Sequence, residues 1–472
     1  MRKPTKVPSE ALATAVLLAA PVVLFGSVGM SVAGTPVLTA AEPALPQEPQ
    51  AFAPASFPIL EPAVRAQEAA PGRQEPSSGA QESTPGAHLR VWLVTAGPGD
   101  AVWERYGHNA IRILDTRSGR DVSYNWGIFD FQQVDFIPRF LQGRMLYMMA
   151  PFSTAAMIDA YGRANREILL QELDLTPAEK VELQTLAEIN ALPQNRDYIY
   201  QYFLDNCSTR VRDLLDAVLG GALEEAFGDV DTGTSYRFHT RRLTQVDPLI
   251  YTGMDLLLGA PTDRPITVWE EMFLPLTLRD EIRELSIRRT DGSERRLVLS
   301  EEVAVASTRP PAPDRPPGWL WAYMLLGLAM GGVFALLGSE AARSKAWLRR
   351  TVLALATAWT ALGGVAGTIL VLLLFTDHTF AWWNENLFLA NPLLLALMVL
   401  LPLSGSRPAW RRAALHVALA VAAVAVVGLA WQVAPASRQA NAIYFALLLP
   451  AHLGLAWGLW RSGYSETAVA QK

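Results

Sequence analysis

Five apolar stretches in the C-terminal part of the chain constrain most strongly what it can become. They fall near Trp319–Leu337, Val352–Phe375, Leu389–Leu403, Ala413–Val433 and Ala442–Trp460. Each is long enough, or nearly so, to cross about 30 Å of hydrocarbon as a helix. The intervening loops alternate in charge: SEAARSKAWLRR (339–350) and SGSRPAWRR (404–412) carry Arg and Lys, whereas TDHTFAWWNEN (376–386) carries neither. Cytoplasmic loops hold the excess of cations, which places the two basic loops inside and 376–386 outside. The N-terminus gives the same orientation independently. MRKPTK followed by an apolar run reads as a secretory signal or N-terminal anchor over 1–34, with its basic end inside. No Cys follows that run, so a lipid anchor on this chain is excluded. The segment between the two apolar regions is therefore extracytoplasmic, ahead of a transmembrane domain over 318–461 and a cytoplasmic tail over 462–472.

Two kinds of sequence lie between the apolar regions. Residues 35–88 are rich in Pro, Ala, Glu and Gln. Such a stretch buries too little apolar area to offset its ordering entropy, so a disordered linker is expected. Residues 89–310 carry mixed signals. HLRVWLVTAG predicts a strand ended by Pro98-Gly99, and Asp100 is placed to cap a short helix over AVWERYG. HNAIRILD and DVSYNWGIF alternate as two strands joined at Ser118-Gly119-Arg120, which predicts a hairpin. Thr176-Pro177 with Glu179 opens a helix that runs to about Ala191. YIYQYFL reads as a strand, and NCSTRVRDLLDAVLGG as an amphipathic helix closed by Gly220-Gly221. The fold class is α+β, followed by an all-α membrane bundle.

Composition removes several classes of function. Net charge is −5 with Lys+Arg at 40, so no basic field exists to hold nucleic acid. The single Cys excludes internal disulfides and Cys-based zinc clusters. That thiol, Cys207, sits in DNCSTRVRDLL at the expected start of a helix, where free amides favour a thiolate and Arg210 adds a positive charge. Its polar neighbours Asp205, Asn206, Ser208 and Thr209 argue against a plain core slot. His108, entering a strand after Gly107, is the candidate base. Asn125 is preferred over Tyr124 and Asp130 as the group that fixes the imidazole. His239, among cations, and His378 are rival bases. The Asn206–Cys207 amides are placed to stabilise an oxyanion.

The 376–386 loop is unusually polar for its position. Asp377, His378, Glu385 and Asn384, Asn386 and Asn391 sit between apolar spans beside Trp382 and Trp383. The Trp pair suits an interfacial belt, and polar groups at that depth are costly unless they line a site. Asp377, His378 and Asn386 are therefore candidate substrate-binding residues, or groups that orient the membrane part under the extracytoplasmic domain.

Taken together, VWLVTAGPGDAVWERYGHNAIRI, YNWGIFDF, FLQGRMLYMM, NRDYIYQYFLDNCSTRVRDLL, GMDLLLGAPTDRPITVWEEMFLP and TDHTF…NENLFLANPLLL resemble the Lnb family of bacterial lipoprotein N-acyltransferases. The resemblance covers roughly Arg90 to the C-terminus. It implies a periplasmic, circularly permuted papain-like thiol domain on inner-membrane helices, with Cys207 as nucleophile and His108 as base. The implied reaction moves an acyl chain from a phospholipid through a Cys thioester to the N-terminal amine of a lipoprotein, without metal or organic cofactor. The long linker departs from that family pattern. Two rivals stand beside this expectation: a cell-wall amidase or endopeptidase using the same Cys–His pair, and a non-catalytic envelope scaffold.

Overall fold

The computed structural model describes residues 84–130, 133–288 and 292–470. The expected signal or anchor over 1–34 and nearly all of the expected linker lie outside the described residues.

The extracytoplasmic part is built on one antiparallel sheet. Its strands are β1 (Leu89–Ala96), β2 (His108–Asp115), β3 (Asp121–Ile128), β4 (Leu146–Ser153), β5 (Ile168–Leu173), β6 (Asp197–Ile199) and β11 (Val298–Val305). They lie in the order β11-β5-β1-β2-β3-β4-β6. Alternation along β1 decides which layer each face meets. Leu89, Val91 and Leu93 pack with Ile111, Ile113, Val122 and Tyr124 under helices α3 (Pro177–Ala191) and α4 (Cys207–Val218). Trp92, Val94 and Ala96 point the other way, onto Met157 and Tyr161 of α2 (Thr154–Arg163). A seven-residue helix, α1 (Phe136–Gln142), connects β3 to β4. The expected β2–β3 hairpin forms with Ala110 opposite Asn125 and Leu114 opposite Asp121.

Local capping chemistry sets the helix starts. Thr176 accepts the Glu179 N–H and Glu179 reaches back to the Thr176 N–H, with Pro177 at the first helical position. Asn206 caps α4 by accepting the Ser208 and Thr209 N–H groups. Two expectations are corrected. Asp100 caps nothing, because it pairs with Arg309; the short turn is a 3-10 helix over Val102–Glu104, and Glu104 accepts the Ala101 N–H. Of YIYQYFL only the start is strand. The chain folds back in a Gln201–Asp205 bridge, which delivers Asn206 to its capping position.

Later elements complete the domain: α5 (Ala222–Phe227), β7 (Asp231–Ser235), α6 (Tyr236–Thr244), α7 (Pro248–Leu257), β8 (Pro265–Thr267), α8 (Val268–Glu271), α9 (Pro275–Glu284), and a β9 (Ser286–Arg288)–β10 (Glu294–Arg296) pair. The membrane part holds α10 (Leu320–Ala335), a short α11 (Glu340–Ser344), α12 (Ala346–Leu373), α13 (Leu393–Leu403), α14 (Pro408–Trp431) and α15 (Ala442–Ala470). Five segments here are long and apolar enough to cross a membrane: 320–338, 346–373, 385–403, 408–431 and 442–462. The third is broken, with a 3-10 turn over Glu385–Phe388 ahead of Pro392 and α13.

The loops that follow the second and fourth spans both touch the α+β domain. The Asp377 N–H donates to Gln142 O at 2.8 Å, and Arg241 Nη2 donates to Ala440 O. The charge pattern places the first of these loops outside, and two further crossings bring the second to the same side.

Candidate functional site

Three elements meet at one end of the sheet, where β2 begins, β3 ends and α4 starts. His108 Nε2 lies 3.0 Å from Asn125 Oδ1. The Asn125 amide nitrogen donates to Ser123 O at 2.9 Å, so its oxygen is the atom that faces the ring. Nε2 therefore carries the proton in this pair, and Nδ1 keeps a free lone pair. Asn125 is buried, and Tyr161 stacks on the imidazole with ring centroids 6.4 Å apart.

Cys207 reaches the same place from α4. Its sulfur lies within hydrogen-bond reach of the backbone N–H groups of Asn109, Cys207 and Ser208. Asn109 follows His108 directly in β2, and its side-chain oxygen lies 2.8 Å from Ser208 Oγ. This ties the helix terminus to the strand. Gly127 makes the approach possible. A Cβ there would stand 3.3 Å from Cys207 Cβ, and its φ of +84° is a conformation that side chains rarely adopt.

Burial dominates the electrostatics. It pushes the Cys207 thiol above its ordinary value, and the three N–H groups and Arg166 oppose that rise without cancelling it. Burial likewise lowers the His108 imidazole to about 4, against the Asn125 hydrogen bond and with help from Arg166. The expectation of a thiol lowered toward neutrality is thus corrected, because desolvation outweighs the helix terminus. Thiol and imidazole are each neutral at pH 7.

Arg166 is the cation that acts here. It is 3% exposed, donates to Gly97 O at 2.9 Å and to Glu104 Oε1 at 3.2 Å, and lies 4.8 Å above the Tyr161 ring. Nothing in the sequence around it marked it. Arg210 does not play that part. It is bound in a fork to Asp205 and stacked 4.2 Å over Tyr198, and it lines a cavity of about 390 Å³ with Trp126 and Asp213. Asn206 is also occupied. Its N–H donates to Thr209 Oγ1, its oxygen caps α4, and its amide nitrogen donates to Tyr202 O and Phe273 O. It has no donor left for an oxyanion, so the Cys207 and Asn109 N–H groups are the ones available.

The three membrane-side candidates hold the two parts together. Asp377 pairs with Arg144 at 2.6 Å, and His378 Nε2 donates to Phe140 O at 2.8 Å. Asn386 donates to Leu256 O at 3.0 Å and accepts from Asn441. The last carbonyls of a helix have no partner within it. In α7 they are met by Asn384, Asn386 and Gln439, whose amides donate to Leu256, Leu257 and Leu258. The rival His239 is buried rather than solvated. It lies 2.9 Å from Thr234 Oγ1 and accepts from Arg242, and burial lowers it to about 3.

Fold and site together define a membrane protein with five apolar spans among the described residues and an extracytoplasmic α+β domain that brings a thiol, an imidazole and an amide to one sheet end. The Lnb N-terminal periplasmic domain matches residues 77–242, and the Lnb transmembrane domain matches 325–459. The chain belongs to the Lnb family, a family of membrane enzymes that modify lipoproteins. No curated protein and no solved structure is significantly similar to it.

Proposed function

We propose that the chain, divided into a thiol domain over 89–310 and a membrane domain over 318–461, transfers an acyl chain from a membrane phospholipid to the N-terminal amine of a lipoprotein through a thioester on Cys207. The observation that carries this reading is the His108–Asn125 pair set at the strand end from which the Asn109 N–H meets the Cys207 sulfur.

His108 Nδ1 takes the thiol proton as sulfur attacks the ester carbonyl. The oxyanion forms opposite the N–H groups of Cys207 and Asn109, each such donor being worth about 10²–10³ in rate. Collapse breaks the ester C–O bond, and the imidazolium gives its proton to the departing alkoxide of the lyso-lipid. The lipoprotein amine then attacks the thioester and loses a proton to His108. The C–S bond breaks, and the proton returns to sulfur. Asn125 keeps the ring in the tautomer that this cycle needs. Arg166, held over Tyr161, lowers the basicity of His108 and favours the thiolate as it forms. Grip of the membrane loops on α7 keeps the domain at the bilayer surface, where both substrates are confined and their effective concentration is high.

Intact mass of the full-length protein in phospholipid nanodiscs tests the covalent step. An added acyl mass, released by hydroxylamine and absent in Cys207→Ala, is expected before any lipoprotein is supplied. An unmodified mass during active transfer would overturn the thioester route. Adduct only after lipoprotein is added would move the donor to the lipoprotein itself.

The depressed His108 sets the pH dependence. Below about 4 the ring is protonated and no base exists; above it the neutral imidazole is present. The thiol, raised by burial, stays protonated through neutrality. The acid limb of kcat/KM is therefore expected near 4, and a limb at the ordinary histidine value of about 6.5 would contradict the buried site. Asn125→Ala removes the bond that raises His108 and frees the ring. It should cost about 10²-fold or more in kcat and move the acid limb lower, whereas a purely structural loss would leave the limb in place.

A further inference from the structure

We infer that helix α1 lies in the outer leaflet, its apolar face among the lipid headgroups and upper acyl chains, so that the sheet end carrying Cys207 opens onto the bilayer. This concerns how lipid is reached and is independent of the covalent step proposed above.

The sequence of α1, FIPRFLQ, has no acid, and its N-cap Asp135 is left-handed with no side-chain cap bond. Val134, just before it, is 83% exposed and Leu141 57% exposed. An exposed apolar turn on an isolated domain would be a liability. Its position explains it. The helix ends at Gly143, and a Cβ there would stand 2.7 Å from His378 N and 2.8 Å from Asp377 C. The backbone of the 376–386 loop is therefore pressed directly on the end of α1, fastened by Asp377 N–H to Gln142 O at 2.8 Å and by the Arg144–Asp377 pair.

That contact fixes depth. Asp377 comes four residues after Leu373, the last residue of the α12 span, so it sits at the headgroup level. Phe375, 83% exposed, and Trp383, 77% exposed, mark the same level as an aromatic belt does. A short helix fastened there with Pro138 and Leu141 exposed, and Val134 exposed just ahead of it, meets lipid rather than water. The exposed apolar residues of α1 are thus tied to the loop that leaves the α12 span.

The same segment joins the site. From α1 the chain enters β4, where Tyr147 stacks on Tyr200 at 4.2 Å; Tyr200 meets Tyr202 at 6.0 Å, and Tyr202 stacks on His378 at 6.3 Å. Tyr200 packs in the same cluster as Cys207. An aromatic row therefore runs from beside the thiol to the membrane loop.

The test uses the full-length protein in nanodiscs, in a Cys207→Ala background that leaves no other thiol. Spin labels are placed at Val134→Cys and Leu141→Cys, with Arg117→Cys on the β2–β3 turn at the opposite end of the sheet as control. Relaxation by dissolved oxygen is expected to exceed that by a water-soluble nickel chelate at 134 and 141, and to fall below it at 117. A water-like profile at 134 and 141 would overturn the inference. So would labels shielded from both reagents, which would mean that protein covers the helix. If the labels are lipid-immersed and no acyl adduct forms, only the catalytic reading fails. With Cys207 intact, Leu141→Glu should slow transfer from bilayer lipid about tenfold or more, since a carboxylate resists immersion, while cleavage of a water-soluble short-chain thioester stays within about twofold. Equal loss on both substrates would count against lipid delivery through α1.

Discussion

Cys207→Ala is expected to leave a folded, membrane-inserted protein whose transfer rate is lower by about 10⁴-fold or more, the scale seen when a covalent nucleophile is removed. Folding should survive because Ala keeps the Cβ beside Gly127 and gives up only one half-buried sulfur at the edge of the core, while the α4 cap belongs to Asn206 and the strand–helix tie to Asn109 and Ser208. A melting temperature within a few degrees of the parent would verify this. His108→Gln should cost nearly as much, and the double variant little more, because nucleophile and base act as one unit. Simple multiplication of the two losses would separate their roles. Activity within about tenfold of the parent in Cys207→Ala would end the thiol mechanism, since positioning alone does not replace a lost nucleophile.

Arg237→Met should produce the largest loss of stability. Arg237 and Asp255 are each 1% exposed, and the guanidinium also contacts Asp263, Leu258 O and Gly259 O. Removing one partner from such a set leaves buried charge uncompensated, at a cost of about 3–5 kcal/mol. The damage should be local as well as global, because these carbonyls lie where Asn384 and Gln439 grip α7. Protease cleavage between the domains should rise together with a lower melting temperature in detergent. Unchanged values in both would show that the network is dispensable. Burial pushes the Asp255 carboxyl up, but Arg237 and Arg241 together hold it below the ordinary carboxylate value. Its contribution is therefore present at neutral pH and is lost as pH falls through that lowered value. The parent should lose domain coupling in acid, and Arg237→Met should be less sensitive there.

The membrane layout was legible in the chain because hydrocarbon thickness and loop charge act on composition alone. The five spans and the extracytoplasmic side follow from nothing more. The β2–β3 hairpin and the α3 and α4 starts were legible for a similar reason: alternation, Gly turns and caps operate within a few residues of one another. Even YIYQYFL failed locally, since its apolar pattern gave no sign that the chain must turn back to present Asn206.

What the sequence could not decide were competitions between distant groups. Arg210 is next to Cys207 in the chain, yet Asp205 and Tyr198 claim it, while Arg166 arrives from beyond α2 to act on the site. A helix start predicts a lowered thiol, but the depth of burial, a property of the packed whole, sends it upward. Asp377, His378 and Asn386 were recognisable as misplaced polar groups, and only the docking of α1 and α7 onto their loop turned them into fasteners. Elements and topology thus came from interactions short along the chain. The partners of each charge, and the depth at which the thiol lies, were chosen only when the sheet, helices and membrane loops closed on one another.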